Sequence, residues 1–237
     1  MKTVKIINLI NYNKVLIYIN SELLMKLKIN EIYKSIQGES TYMGLPCTFI
    51  RLTYCNLRCS YCDTEYAFYE GHDMEINEII TKVNSFDSNL VEVTGGEPLV
   101  QEHCIDLLKA LIKNGNKVLL ETGGAITIEK IPKEITIILD IKCPSSNMAD
   151  KNLWSNIKLL KKHDQVKFVI GNKDDYNWSK NIIKKYRLNN KGEVLFSPVF
   201  GVIEPQKIVD WIIKDNLDVR FQMQLHKYIW EHDKKGV

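Results

Sequence analysis

The chain has 237 residues, of which 45% are apolar and 26% charged, and its formal net charge is +3. That composition suits one soluble globular domain, with length enough for a single α/β barrel, and the small net charge gives no argument for nucleic acid. Six cysteines, three of them in one loop, do not make a disulfide framework and imply a reducing, cytoplasmic setting.

Taken in chain order, residues 1–24 come first as an apolar run broken by Asn8, Asn11, Asn13, Lys14 and Asn20. A membrane-spanning helix is therefore not expected, and no small-residue cleavage site follows to make a secretory signal. Two readings stand: a leader ahead of a natural start at Met25, or an extra strand pair at the edge of a barrel. From Met25 the chain reads as one domain, 25–237.

Beyond it, short β-branched segments bounded by Gly, Pro or Asn predict strands at 48–53, 91–94, 118–121, 135–141, 166–170, 194–197 and 219–222. Helical periodicity predicts helices at 76–83, 105–112, 153–160, 176–183 and 205–213, the last opened by Pro205 at a position suited to a first turn. Strand and helix alternate, as in a mainly parallel sheet. Helices are sparse between Ile126 and Ser145. The expected fold is a partial (β/α) barrel with about six parallel strands.

Three cysteines, Cys55, Cys59 and Cys62, fall within eight residues directly after the first predicted strand. Three thiolates can hold three irons of a [4Fe–4S] cluster, whereas a cluster that only carries electrons usually takes four cysteines. A closed zinc site would need a fourth sulfur or nitrogen ligand, and zinc sites usually come as two separated pairs, of which no second is present. Three unrelated buried thiols are the remaining alternative. The next predicted strand ends in Thr94-Gly95-Gly96-Glu97-Pro98, where glycines allow close backbone approach to a ligand, and a third strand end carries Glu121-Thr122-Gly123-Gly124. In α/β barrels, such strand ends hold the catalytic loops.

The C-x3-C-x2-C run with Tyr61 before its last cysteine, followed by GGEP, resembles the radical S-adenosylmethionine (SAM) enzymes. Upstream, Ser35-Ile36-Gln37-Gly38-Glu39, Gly44 and the FIR run, with Asp63-Thr64 after the cysteines and the tail QLHKYIW…GV, narrow the resemblance to the 7-carboxy-7-deazaguanine synthases, over 29–237. The resemblance implies a [4Fe–4S] cluster on Cys55, Cys59 and Cys62, SAM on the open iron, and a magnesium ion at Thr64. It implies conversion of 6-carboxy-5,6,7,8-tetrahydropterin to 7-carboxy-7-deazaguanine with loss of ammonia, on the way to queuosine in tRNA or related deazapurines. In that chemistry an electron entering the cluster cleaves SAM, and the resulting 5′-deoxyadenosyl radical takes hydrogen from C6 of the pterin.

By the same resemblance, Ile36, Gln37, Gly38 and Thr94 line the substrate, Arg51 pairs with its carboxylate, and His226 with the carboxylate of Val237 closes over it. Tyr61, Asp63, Gly96, Asp140, Ile141, Lys142, Ser197, Pro198, Val199 and Phe200 serve SAM. Two departures stand out: Ser40 occupies a common glycine position, and Asp140-Ile141-Lys142 replaces a Ser-Pro-Lys run. An external electron donor such as flavodoxin and a homodimer are implied as well.

Simpler roles stand beside these. Asp63-Thr64 also reads as a loop-to-helix cap, Arg51 as a surface residue or an anchor of the cysteine loop, and His226 as a satisfied sheet histidine. Trp154, Trp178 and Trp211 are expected to pack outer helices, and Cys47, Cys104 and Cys143 to be structural. No side chain reads as a general base. A glycyl-radical-enzyme activase would share the cysteines and GGEP but leaves SIQGE and Asp63-Thr64 without a role; a non-catalytic iron–sulfur or zinc module would not need GGEP.

Overall fold

The computed structural model describes residues 25–237; both readings of the leader fall on 1–24 and lie outside the described residues. Nine strands, β1 (Lys26–Ile36), β2 (Pro46–Leu52), β3 (His72–Glu75), β4 (Leu90–Gly95), β5 (Lys117–Thr122), β6 (Thr136–Ile141), β7 (Gln165–Ile170), β8 (Glu193–Pro198) and β9 (Arg220–Phe221), form one sheet in the order β3-β1-β2-β4-β5-β6-β7-β8-β9. From β2 to β9 every neighbouring pair is parallel. β1 runs antiparallel to both β2 and β3.

This is the open, mostly parallel sheet of a partial barrel, with seven parallel strands in place of about six. All seven predicted strands are present within two residues of their expected ends. The antiparallel edge escapes the sequence pattern for a physical reason. β3 has a single apolar side chain, Met74, and β1 fully buries only Leu27 and Ile29 of its eleven residues.

Four helices, α1 (Ile76–Asn84), α2 (Cys104–Lys113), α3 (Lys173–Tyr186) and α4 (Pro205–Asp215), match predicted ones, and a short α5 (His226–Ile229) lies in the C-terminal segment. The helix predicted at 153–160 is corrected to a 3-10 segment, Trp154–Leu159. Its fully buried Asn156 accepts from Ile128 N (3.2 Å) and donates to Gly124 O (3.2 Å) and Ile126 O (2.8 Å). Those bonds tie it to the helix-free connection between β5 and β6 and override the local pattern. The tryptophans pack as expected: Trp154 stacks on Tyr186 at 5.0 Å beside Trp178, and Trp211 meets Tyr176 at 5.3 Å.

The central strands are buried on both faces, as parallel strands between two layers must be. On the helix-side face, Ile50, Leu52, Val91, Val93, Leu120, Leu139, Phe168 and Phe196 join one large apolar core. Each such side chain contributes roughly 1.5–3 kcal/mol on burial. Side chains alternate between the faces of a strand, so the residues between them point into the concave side. At its floor Cys47, Phe49, Leu90, Leu119 and Ile138 form a smaller apolar cluster with Tyr33 and Tyr42. Toward the carboxyl ends the same face turns polar, with Arg51, Glu92, Thr94, Glu121, Asp140 and Lys167. Among the described residues no helix is long and apolar enough to cross a membrane.

Candidate active site

The polar end of the concave face opens into a cavity of about 640 Å³. The cysteine loop leaves β2 and forms one wall. Its backbone is braced from several sides: Ser60 N and Oγ donate to Ser146 O (3.0 Å) and Ser145 O (2.6 Å). The Arg58 guanidinium donates to Cys55 O (2.8 Å) and Leu57 O (2.6 Å), with its Cζ 4.2 Å from the Phe68 ring centre.

Cys55, Cys59 and Cys62 are free, half-buried and all line the cavity. Cys47, Cys104 and Cys143 are fully buried and do not line it, which agrees with their structural role. Burial pushes the Cys55 thiol up and that of Cys59 up to about 11, and binding of iron would displace a thiol proton at each ligand. Three thiols on one loop, all opening into the cavity, are the donor set that a cluster with one non-protein ligand needs. The residues fit the group.

The glycines of GGEP are demanded first by the cysteine loop. A Cβ on Gly96 would lie 2.3 Å from Tyr54 O and 2.7 Å from Cys55 Cβ, and one on Gly95 would lie 2.3 Å from Leu52 O. Gly96 N and Glu97 N donate across this contact to Leu52 O (3.2 Å) and Tyr54 O (2.8 Å). The Glu97 carboxylate, fully buried, accepts from Leu99 N (3.0 Å), Gly123 N (2.7 Å) and the Thr122 hydroxyl. It thereby fastens the GGEP loop to the loop after β5.

Arg51 is neither a surface residue nor an anchor of the cysteine loop. Its side chain is 13% exposed; Nε donates to Glu31 Oε1 (2.8 Å) and Nη2 to the Tyr33 hydroxyl (3.2 Å). Tyr66 also donates to Glu31 Oε1 (2.9 Å). Nη1 has no partner among the described residues. Thr64 occupies the N-cap position of a short 3-10 turn, Glu65–Phe68, yet its side chain makes no capping bond. Its hydroxyl lies 3.8 Å from Cys62 Sγ and faces the cavity.

A buried charged group also lines the cavity, centred on Lys167, a residue without a role in the sequence reading. Lys167 Nζ pairs with Glu39 (3.0 Å), Asp140 (3.7 Å) and, closest of all, Glu121. Burial works against the ammonium, but the three carboxylates raise its pKa well above the ordinary lysine value. Burial alone would raise Asp140 and Glu39; Lys142, at 2.9 Å, with Lys167 outweighs it at Asp140, and Lys167 with His226 at Glu39, so both are held low. Gln224 donates to Glu39 (3.0 Å) and to Asp63 (3.1 Å), and Lys227 pairs with Asp63 (2.8 Å). The C-terminal segment is thus bonded to the residue following Cys62. His226 sits against Gly38, where a Cβ would come 2.3 Å from Nδ1, and burial holds its pKa below the ordinary histidine value.

Of the predicted site residues, Ile36, Gln37, Gly38, Arg51, Tyr61, Asp63, Thr64, Thr94, Gly96, Asp140, Lys142, Pro198, Val199, Phe200, His226 and Val237 line the cavity with the three cysteines. Ile141 and Ser197 do not. Ile141 alternates with Asp140 and Lys142, so its side chain belongs to the helix-side core, while Ser197 is buried at 2% exposure in β8. Glu39, Glu92, Lys167 and Gln224 line the cavity without having been predicted as site residues. For Glu92 and Lys167 the signal was a charged residue at alternate positions of otherwise apolar strands, as in LVEVTG and QVKFVI; Glu39 and Gln224 lie in loops and carried none.

Residues 49–210 match the family model of the radical SAM superfamily. A 7-carboxy-7-deazaguanine synthase of Koribacter versatilis is 41% identical over 226 residues, covering 89% of this chain and 100% of the relative. Another, of Chlorobaculum tepidum, is 44% identical over 214 residues, covering 89% and 97%. The crystal structure of QueE from Escherichia coli superposes with a TM-score of 0.72 over 86% of this chain and 96% of that one, at 19% identity, a likeness of fold. The two named relatives are synthases rather than activases. The chain belongs to the radical SAM superfamily and, within it, to the 7-carboxy-7-deazaguanine synthases.

Proposed function

We propose that this chain converts 6-carboxy-5,6,7,8-tetrahydropterin to 7-carboxy-7-deazaguanine with loss of ammonia, a step toward queuosine and related deazapurines. The observation that carries the reading is the meeting of three thiols, Arg51 and the SIQGE turn on one cavity with the C-terminus of the chain. When bound on Cys55, Cys59 and Cys62, a [4Fe–4S] cluster supplies the electron for reductive cleavage of SAM.

The remaining work falls to the chain itself. Arg51, oriented by Glu31 and Tyr33, presents its free Nη1 to the substrate carboxylate, a contact that suits a guanidinium. Ile36, Gln37, Gly38 and Thr94 line the pterin, and His226 with the Val237 carboxylate closes over it. Gly96, Tyr61, Asp63, Asp140, Lys142, Pro198, Val199 and Phe200 line the SAM side, and Ile141 and Ser197, which lie off the cavity, are left out of it. Thr64, free of any capping duty, offers its hydroxyl to magnesium, a hard cation that keeps other positions for substrate oxygens. The charge placement and exclusion of water are the protein's share of the chemistry. A flavodoxin-like electron donor, a homodimer and a cytoplasmic setting complete the reading by family resemblance.

Anaerobic incubation of the iron-loaded protein with the carboxylated tetrahydropterin, SAM and a reductant should give a product with the mass of 7-carboxy-7-deazaguanine. Formation of 5′-deoxyadenosine with the pterin left unchanged would remove this reading.

A further inference from the structure

Glu92 is buried on the cavity face of β4, at 4% exposure, two residues before Thr94. Its neighbours Val91 and Val93 point the other way, into the helix-side core. A carboxyl at this depth is costly unless it is bonded, and no cation in the site pairs with it: Lys167 is spent on Glu39, Glu121 and Asp140, and Arg51 on Glu31. Its one side-chain partner among the described residues is Gln37, whose Nε2 donates to Glu92 Oε2. Gln37 Oε1 in turn accepts from Glu39 N (3.1 Å), which fixes the orientation of the amide. No described residue donates to Glu92 Oε1, and the residue lines the cavity.

We propose that Glu92 is a specificity-determining residue whose carboxyl group, through the unbonded Oε1 and the remaining lone pair of Oε2, binds the 2-amino and ring-nitrogen edge of the pterin, at the end remote from the carboxylate taken by Arg51. The proposal rests on the pterin reading above. The register of β2 and β4 sets Arg51 beside Thr94 and Phe49 beside Glu92. Glu92 therefore lies one strand across and two residues deeper than Arg51. At about 3.3 Å per residue and about 4.8 Å between strands, their Cα atoms are roughly 8 Å apart, comparable with the long axis of a two-ring heterocycle.

Burial first, then Glu121 and Glu39, pushes the Glu92 carboxyl up to about 8, against the lowering by Lys167 and Gln37. At neutral pH it holds its proton. A neutral acid offers one donor and one acceptor, the complement of a ring nitrogen beside an amino group. A ring with hydrogen in place of the 2-amino group keeps the ring nitrogen but offers no donor to the acid's acceptor oxygen, a mismatch that polar sites reject strongly.

The test is binding of 6-carboxypterin against its 2-desamino analogue at pH 7, for the iron-loaded wild type and for Glu92→Val and Glu92→Gln. Wild type should favour the 2-amino ring by about tenfold or more, the equivalent of one good polar contact. Glu92→Val, apolar between two valines and checked for folding by its melting curve, should bind both rings about equally. Glu92→Gln, which keeps a donor and an acceptor, should retain most of the preference. If Glu92→Val discriminates as wild type does, the assignment of Glu92 is wrong. If wild type binds neither ring, the pterin reading itself has failed.

Discussion

Arg51 and Thr64 sit on the same cavity but make different demands on the chemistry. Arg51→Ala would remove the proposed charge-assisted contact to substrate, worth about 1.5–3 kcal/mol, so substrate affinity should fall roughly ten- to a hundredfold with iron content per chain unchanged. Thr64→Ala should blunt the response of turnover to added magnesium, and Thr64→Ser should keep it. Equal magnesium titrations for wild type and Thr64→Ala would return the residue to a purely structural role. Glu92 gives a pH prediction. Its folded value near 8 lies above the ordinary 4.5, so between these values the folded state binds more protons than the unfolded one. Stability due to this group therefore falls as pH rises through that window. Urea melts at pH 5 and pH 8 should show a larger loss for wild type than for Glu92→Gln; equal losses would contradict the shift. Residues embedded in motifs, such as Arg51 and the three cysteines, were legible in the sequence. Lys167 and Glu92 were not, because a lone charge within an apolar strand reveals its purpose only once alternation sends it to the cavity face.

At the scale of elements, the site depends on loops that pack backbone against backbone. Gly96→Ala would push a methyl to within 2.3 Å of Tyr54 O, at the point where the cysteine loop begins. The variant should fold with a lowered melting temperature and a clear loss of iron per chain, because the displacement falls on Cys55. Full iron occupancy in Gly96→Ala would show that the loop tolerates the shift. The same contact explains why GGEP reads as a ligand loop from sequence while its glycines are needed first by a neighbouring strand end. Elements with a strong period were legible: the seven parallel strands and four helices follow from β-branched runs and apolar stripes. β3 and the segment Trp154–Leu159 were not, since one has a single apolar side chain and the other is wound by the tertiary bonds of Asn156.

The whole molecule is a sheet with an apolar face under helices and a concave face that runs from an apolar floor to a charged rim. The three thiols stand at that rim beside Arg51, and the C-terminal segment returns across it through Gln224, Lys227 and Val237. Cys55→Ala, Cys59→Ala and Cys62→Ala should each abolish both iron loading and SAM cleavage, whereas Cys104→Ala and Cys143→Ala should retain both. A requirement for Cys143 would argue for a closed four-thiolate site. Isotope transfer reads directly whether this cavity brings the pterin and SAM together. With substrate deuterated at C6, deuterium should appear in the 5′-deoxyadenosine formed, alongside a product of the mass of 7-carboxy-7-deazaguanine. 5′-Deoxyadenosine free of deuterium, formed alongside that product, would contradict it.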